Sequence, residues 1–302
     1  MNLHEYMGSL KAEIDESLTK EFKMWDYRMA KISASDDAKI LKESMLYSVK
    51  NGGKRFRPIL LLMTLEAFGV VRSKGMNTAI ALEMIHTYSL IHDDLPAMDN
   101  DDIRRGKPTN HKVYGDALAI LAGDGLLTDA FSLISSDECI DTKIRVELIT
   151  FLSRSAGTFG MIAGQVMDID SEDKVVTLEK LKKIHHLKTG RLIEFACLAA
   201  GFIAEQDDDI MAALSEFAKV LGLAFQIQDD ILDVEGDVNT IGKPIGSDVV
   251  NGKSTYVSLL GLDGAKQMLV NEIEKALQIL EQLPIKRKRL KELVLYVANR
   301  DK

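Results

Sequence analysis

An apolar run that ends in a dense group of acids constrains this chain more than any other feature. Residues 82–91 are apolar enough for a buried helix, and the next eleven residues, 92–102, hold five aspartates. Ionised carboxylates are rarely buried unless they are paired with cations or bind a metal. A buried helix that carries so many acids to its end therefore predicts a bound cation there.

A second apolar run, residues 224–233, ends in the same way, with Asp229, Asp230 and Asp233. On a helix, Asp229 and Asp233 would share one face, about 6 Å apart along the axis, and Gln226 would lie on that face too. Carboxylate oxygens favour a hard cation such as Mg²⁺, which proteins usually hold with one or two carboxylates together with substrate phosphates. Two solvated acidic helix ends are the alternative, which the repetition of the pattern disfavours.

Composition narrows the class of protein further. The chain has 302 residues, 46% of them hydrophobic, and its five prolines and lack of a glycine/serine-rich linker favour one domain over residues 1–302. A net charge of −8 disfavours nucleic acid as a partner, because such binding depends on Lys and Arg. Cys139 and Cys197 are too few for a disulfide framework, which predicts a reducing, cytoplasmic setting. We expect neither a signal peptide in the charged residues 1–20 nor a membrane span.

The hydrophobic pattern predicts an all-α fold, with no convincing alternation of the strand type. Two nearly apolar helices, residues 77–95 and 210–233, are expected at the centre, wrapped by amphipathic helices. Pro96 should end or kink the first of them. Thr177 should cap a helix that continues to residue 200.

Three other possible functional motifs have less support in the sequence than the two aspartate motifs. Glu83-x-x-His86 matches half of a di-iron carboxylate bundle, but no other histidine follows a glutamate at that spacing. The segment 252–254 ends like a phosphate-binding loop, yet residue 247 is Ser where the first glycine is required. The adjacent residues His185 and His186 stand among lysines and are expected to face solvent.

Eight segments, in order along nearly the whole chain, resemble the trans-isoprenyl diphosphate synthase (polyprenyl synthetase) family, and within it the bacterial group that forms farnesyl diphosphate. They are GGKRFRP at 52–58, DDLPAMDNDDIRRGKPTNH at 93–111, LAGDGLL at 121–127, GMIAGQVMDI at 160–169, KTG at 188–190, FQIQDDILD at 225–233, IGKPIGSD at 241–248 and NGKSTY at 251–256. Class I terpene cyclases share an aspartate-rich motif but lack an element like GGKRFRP. The resemblance implies a single helical bundle of the isoprenoid synthase type, with a central cavity between the helices that carry the two motifs.

The family resemblance implies a Mg²⁺-dependent head-to-tail condensation of isopentenyl diphosphate with dimethylallyl or geranyl diphosphate, which gives (2E,6E)-farnesyl diphosphate through an allylic carbocation. In this family three Mg²⁺ ions, for which Mn²⁺ can substitute, bridge the aspartates and the allylic diphosphate, and the enzymes are homodimers. Geranyl or geranylgeranyl diphosphate synthesis, a class I terpene cyclase, and a silent regulatory subunit are the alternatives. Silent subunits lose their aspartates, whereas this chain retains both motifs.

By position in the motifs, the resemblance assigns the metal ligands. Asp93 and Asp99 correspond to ligands of two Mg²⁺ ions with Asp94 in support, and Asp229 to the ligand of the third, with Asp230 and Asp233 nearby. On a straight helix Asp93 and Asp99 would lie roughly 120° apart around the axis and about 9 Å apart along it. The helix must therefore bulge or end between them if they are to share metals.

The resemblance also assigns the diphosphate and catalytic residues. The allylic diphosphate would be bound by Arg104, Lys188 and Lys243, and isopentenyl diphosphate by Lys54, Arg57, His86 and Arg105. The catalytic group would be Lys188, Thr189, Gln226, Gln165 and Asp168, in which Thr189 and the glutamines face the carbocation and Asp168 orients the basic residues.

The length of the product should depend on what lies beneath the first aspartate motif. Tyr88 and Ser89 precede Asp93 by about one turn, and an aromatic ring there resembles the farnesyl-forming enzymes. Such a ring would block further elongation; the alternative is that Tyr88 is a plain core residue. Gly125 departs from the alanine more common in the family, and a glycine inside a helix costs up to about 1 kcal/mol relative to alanine.

Overall fold

The structure is a computed structural model that describes residues 1–31, 38–235 and 253–300. The fold is all-α, as predicted. The helices are α1 (Leu3–Lys31), α2 (Lys39–Lys50), α3 (Phe56–Ala67), α4 (Met76–Asp93), α5 (Asn110–Tyr114), α6 (Asp116–Ser135), α7 (Thr142–Ala156), α8 (Met161–Ile169), α9 (Leu178–His185), α10 (Arg191–Ile203), α11 (Asp208–Glu235), α12 (Tyr256–Gln282) and α13 (Lys288–Asn299). A 3₁₀ turn, Arg72–Gly75, precedes α4, and a π-helical turn, His186–Gly190, joins α9 to α10.

A short antiparallel hairpin was not expected from the sequence. Its strands are β1 (Ile103–Arg104) and β2 (Lys107–Pro108), and they are the only strands in the described part of the chain. The two loop residues, Arg105 and Gly106, have φ angles of 53° and 75°, as a tight turn with two left-handed residues requires. Strands of two residues have no alternating pattern, so the sequence offered no sign of them.

The chain divides into two compact units. The first comprises Met1–Ile59 and Ser73–Arg145, and the second Leu60–Arg72 and Val146–Lys302. Helices α3 and α7 each contribute residues to both. One domain over residues 1–302 therefore stays a prediction.

In the first unit, α4 is the buried centre and packs chiefly against α6. Eleven of the 18 residues of α4 are buried, as expected for a helix that is apolar on all sides. Helices α1 and α2 also pack on it. The helix ends at Asp93, two residues before the predicted end, and so presents the acidic segment at its C-terminus.

In the second unit, α11 is central and packs against α10 and α12. It matches the second predicted central helix. Thr177 caps α9 as predicted, since its hydroxyl accepts a hydrogen bond from the Lys180 amide at 3.2 Å. The predicted helix from residue 177 to 200 is interrupted by the π-helical turn, and α12 kinks at Gly261, where φ is 72°.

Two described helices, α6 and α11, are long and apolar enough by length and composition to cross a membrane. The sequence analysis expected no membrane span and did not identify these two helices as candidates. Core helices of a folded domain pass the same test, so length and composition are weak grounds for a span.

Candidate active site

The chain turns back on itself immediately after α4. The Asp99 amide donates to the Asp93 carbonyl at 2.8 Å, and the amides of Met98 and Asn100 donate to the Leu95 carbonyl at 2.9 and 3.1 Å. The helix thus ends between the two aspartates that a straight helix would separate. Asp93 and Asp99 are neighbours at the backbone, and both side chains are half-buried.

Asp94 has different surroundings from Asp93 and Asp99. It is buried, and its Oδ1 accepts from Arg104 Nε at 2.6 Å and lies 2.5 Å from Arg104 Nη2. Burial raises the pKa of Asp94, and the opposing effect of Arg104 does not cancel it. Asp94 therefore acts as the counterion of Arg104, which also contacts Asp101 at 3.2 Å. Metal support by Asp94 and allylic diphosphate binding by Arg104 stay predictions, and both would require this pair to loosen.

His86 lies in a group of arginines. Burial lowers the pKa of His86 well below its usual range, and four arginines lower it further: Arg57, Arg105, Arg104 and Arg55. The imidazole is therefore neutral at pH 7 within strongly positive surroundings. The structure brings together three residues predicted to bind isopentenyl diphosphate, and such an arrangement favours an anion.

The segment Gly52–Gly53 holds Arg105 in this group. Arg105 donates from Nη1 to the Gly52 carbonyl, and a Cβ on Gly53 would lie 2.5 Å from Arg105 Cζ. Gly53 also has a φ of 117°. The two glycines therefore allow the guanidinium to lie directly on the backbone, while Lys54 beside them is exposed.

Arg55 and Glu83 form a buried ion pair that the sequence analysis missed. Arg55 Nη1 lies 2.7 Å from Glu83 Oε1, and both side chains are 2% exposed. Arg55 Nε also donates to Asp15 of α1 at 2.8 Å. Burial lowers the pKa of Arg55, and the two carboxylates raise it by more. Glu83, considered in the sequence as half of a metal motif, is instead the counterion of Arg55.

The residues predicted to limit product length lie on α4. Tyr88 is 6% exposed, and its ring meets the His92 ring edge to face at 5.7 Å. Burial and the charge of Asp93 raise the pKa of Tyr88 to about 12. Ser89 donates its hydroxyl to the His86 carbonyl at 2.9 Å. Tyr88 thus lies in the core of its unit and within the electrostatic reach of Asp93.

In the second unit, Asp168 joins two lysines. Lys188 Nζ lies 2.6 Å and Lys253 Nζ 3.7 Å from Asp168 Oδ2. Burial raises the pKa of Asp168, but the two lysines lower it by more. The predicted contact of Asp168 with a basic residue is present. Lys253 was missed, although its place in the NGKSTY segment was a signal.

The π-helical turn that carries Lys188 and Thr189 packs closely on α8. A Cβ on Gly164 would lie 2.2 Å from the Lys188 amide nitrogen, so only glycine permits this approach. On the same helix, Gln165 Nε2 is buried and has no hydrogen-bond partner among the described residues. Thr189 is half-buried. The turn therefore places two of the predicted catalytic residues, Lys188 and Thr189, beside α8, which carries Gln165.

The three acids of the second motif have separate surroundings. Asp229 Oδ1 lies 2.6 Å from Arg300 Nη2, and Asp230 Oδ2 accepts from the Tyr256 amide at 2.7 Å, at the start of α12. Asp230 is buried, whereas Asp229, Asp233 and Gln226 are half-buried. Asp230 thus has a structural partner that the motif did not indicate. Lys243 lies outside the described residues.

The expectation that His185 and His186 face solvent is wrong. Both are half-buried, and the His185 ring packs edge to face against Tyr256 at 5.3 Å. Burial lowers the pKa of His185 to about 4. Tyr256, at the start of α12, therefore covers the His185 ring that looked exposed in sequence.

The aspartates of the two motifs are the candidate metal ligands. Residues 1–31, 38–235 and 253–300 contain no group of three or more His, Cys, Asp or Glu arranged around one point. The donors that the motifs supply, Asp93 and Asp99 in the first unit and Asp229 in the second, are all carboxylates. They fit Mg²⁺, which usually takes only one or two carboxylates and completes its shell with water and substrate phosphates.

Comparison with known proteins agrees with these features. The chain is 52% identical to farnesyl diphosphate synthase of Geobacillus stearothermophilus over 263 residues, and 50% identical to that of Bacillus subtilis over 264 residues; each match covers 86% of this chain and 89% of the relative. The solved apo structure of an FPP/GFPP synthase from Zymomonas mobilis is similar with a TM-score of 0.85 and 35% identity, covering 98% of this chain and 99% of that one. The family model described as polyprenyl synthetase matches residues 38–297. The chain therefore belongs to the polyprenyl synthetase family.

Proposed function

We propose that this protein is a farnesyl diphosphate synthase, which adds isopentenyl diphosphate to dimethylallyl and then geranyl diphosphate. The observation that carries the proposal is a pair of distinct sites within one unit. Asp93 and Asp99 converge where α4 ends, and neutral His86 lies among arginines. The allylic diphosphate can approach the aspartates only if a metal ion lies between them, whereas isopentenyl diphosphate can bind to the arginines directly.

The arginine group suits isopentenyl diphosphate. Arg57 and Arg105 supply charge and fixed donors that match phosphate oxygens, and Lys54 is exposed beside them. A neutral His86 can hydrogen-bond to the substrate without adding a further charge. This substrate keeps its diphosphate during the reaction, so its site must hold the anion firmly and stabilise no leaving group.

The converged acids suit the allylic diphosphate. Asp93, Asp99 and Asp229 would hold Mg²⁺, for which Mn²⁺ could substitute; we propose three ions, the number found in this family. Bound there, the metal would supply Lewis-acid stabilisation of the charge that develops on the departing diphosphate. Lys188, which Asp168 holds at 2.6 Å, would add a fixed positive charge for the same anion, as would Arg104.

The remaining catalytic residues would act on the carbon skeleton. Once the allylic C–O bond breaks, positive charge develops on carbon, and the amide and hydroxyl oxygens of Gln165, Thr189 and Gln226 can stabilise it as oriented dipoles. The isopentenyl double bond then donates its electrons to form the new C–C bond. Loss of one proton restores a double bond and leaves a longer allylic diphosphate.

We also propose a cytoplasmic homodimer. Ile120 and Leu121 on α6 are 44% and 54% exposed, which supports an apolar contact with a second copy. Cys139 and Cys197 are both free thiols, which supports a reducing compartment. Light scattering on the purified protein measures the oligomeric state, and a monomer at micromolar concentration would contradict the dimer.

A product assay tests the function. Purified protein is incubated with Mg²⁺, labelled isopentenyl diphosphate and dimethylallyl diphosphate, with and without chelator, and the products are separated by chain length. We expect a chelator-sensitive farnesyl product. A geranyl or geranylgeranyl product would support the proposed condensation reaction but contradict the proposed product length. Cyclised hydrocarbon without use of isopentenyl diphosphate would indicate a cyclase, and no turnover a silent subunit.

A further inference from the structure

Arg300 follows α13 and inserts its side chain into α11. Its side chain is 1% exposed, and Nη2 donates to Asp229 Oδ1 at 2.6 Å and to the Phe225 carbonyl at 2.8 Å. The guanidinium carbon lies 4.0 Å from the centre of the Phe225 ring. The Arg300 carbonyl accepts from Gln228 Nε2 at 3.1 Å. Arg300 is therefore docked by both its side chain and its backbone.

The docked position of Arg300 has a free-energy cost. Its Nε and Nη1 atoms are buried and have no hydrogen-bond partner in the described part of the chain. Burying a cation with unsatisfied donors is unfavourable unless an opposite charge compensates for it. Asp229 supplies such a charge at hydrogen-bond distance. The docking of Arg300 therefore depends on the negative charge of Asp229 being available.

Asp229 is also the residue to which the proposed function assigns a metal. Its side chain is 42% exposed, so it is accessible to an ion from solvent, yet Oδ1 already contacts Arg300. A guanidinium at this distance reduces the attraction of the carboxylate for a second cation, and two cations on one carboxylate repel each other. The same charge cannot fully compensate both.

We infer that Arg300 competes with the metal for Asp229, so that docking of residue 300 and metal binding at the second aspartate motif oppose each other. This inference rests on the proposed function only in assigning a divalent cation to Asp229. Because coupling is reciprocal, the metal must loosen the end of α13 by the same factor by which docked Arg300 weakens the metal. Arg300 would thus set the metal affinity of the second motif.

Direct metal binding tests the first half of the inference. Mn²⁺ is titrated into the protein in the presence of inorganic pyrophosphate, and free Mn²⁺ is measured by electron paramagnetic resonance. Asp229→Asn should remove one class of Mn²⁺ site and so identify it. We expect Arg300→Met to raise the Mn²⁺ affinity of that same class of site by about five-fold or more, and Arg300→Lys to have a smaller effect. Arg289→Met is the matched control, since Arg289 on α13 pairs with Glu292 at 2.6 Å, and should leave Mn²⁺ affinity unchanged.

Hydrogen exchange tests the second half on the unaltered protein. We expect Mn²⁺ with pyrophosphate to speed amide exchange in residues 294–300 of the wild type, and to leave exchange there unchanged in Asp229→Asn. Unchanged or weaker Mn²⁺ binding in Arg300→Met, or unchanged wild-type exchange, would overturn the competition. Neither measurement requires turnover, so an inactive protein that shows both effects would contradict the proposed function and still support the inference.

Discussion

At the scale of single residues, the site depends on how charges are paired. Arg55 and Arg57 lie two positions apart, yet Arg55 is neutralised by Glu83 and Asp15, while Arg57 is the charge that lowers the pKa of His86 most. Asp93 and Asp94 are adjacent, yet Asp94 is buried against Arg104. In each case the two charges of a neighbouring pair have different surroundings, and one of the two is held in a buried ion pair.

Tyr88 is the residue on which product length should depend. Its ring is buried on α4 close to Asp93, so Tyr88→Ala should open space beneath the motif and lengthen the product beyond farnesyl. The lost packing should lower the free energy of unfolding by about 3–5 kcal/mol. Product chain length is measured by chromatography after denaturant unfolding confirms a folded variant. Tyr88→Phe is the control and should keep farnesyl; an unchanged product from the alanine variant would leave Tyr88 as core only.

His185 should make stability sensitive to acid. Its pKa is lowered by burial to about 4, below its ordinary value of 6.5, so the unfolded chain binds a proton before the folded one does. Stability should therefore be complete above pH 6.5 and fall as the pH drops towards 4. In thermal melts across this range, His185→Gln should lose less stability than the wild type. His4→Gln, on the exposed face of α1, is the control, and parallel curves for wild type and His185→Gln would contradict the assignment.

At the scale of elements, packing at one glycine brings α6 against α4. A Cβ on Gly123 would lie 2.1 Å from His92 Nε2, whereas one on Gly125 would meet only the flexible Met45 side chain, at 3.1 Å. Gly123→Ala should therefore destabilise the protein, because the His92 ring must shift and would lose its contact with the Ile120 carbonyl at 3.0 Å. Gly125→Ala is the matched control, since it gains up to about 1 kcal/mol of helix propensity without a rigid clash.

Denaturant unfolding and steady-state kinetics measure the effect of these glycine variants. The displaced His92 ring is next to Asp93 in the chain, so we expect Gly123→Ala to need more Mg²⁺ for half-maximal activity and Gly125→Ala to need no more than the wild type. Equal stability of the two alanine variants would show that His92 moves freely and that Gly123 is not required for the packing.

The sequence predicted the features that depend on neighbouring residues, and missed those that depend on contacts between distant residues. The cap at Thr177 and the nearly apolar helices α4 and α11 depend on neighbouring residues, and all three were predicted. The π-helical turn at His186–Gly190 depends on the close approach of Gly164, and the contact of Arg300 with Asp229 joins residues 71 apart. No local pattern contains such contacts, so residue roles in the aspartate motifs could be predicted while their competing partners could not.

At the scale of the whole molecule, the protein is acidic but must bind polyanions. The net charge of −8 is unevenly distributed, because arginines group around His86 while aspartates lie at the ends of α4 and α11. Acids at the C-terminal end of a helix also oppose its dipole. A region arranged in this way is destabilised until a cation binds, so metal and diphosphate together should stabilise the folded protein.

A thermal shift measurement tests this linkage. Mg²⁺ with inorganic pyrophosphate should raise the melting temperature, by an amount equivalent to about 2.7 kcal/mol when the ligand is at 100 times its Kd. Mg²⁺ alone should act weakly, because one or two carboxylates do not complete its shell. Asp99→Asn should remove most of the shift, while Asp102→Asn, an exposed acid paired with Lys112 at 2.8 Å, should retain it. A full shift in Asp99→Asn would mean that the turn after α4 does not hold the metal.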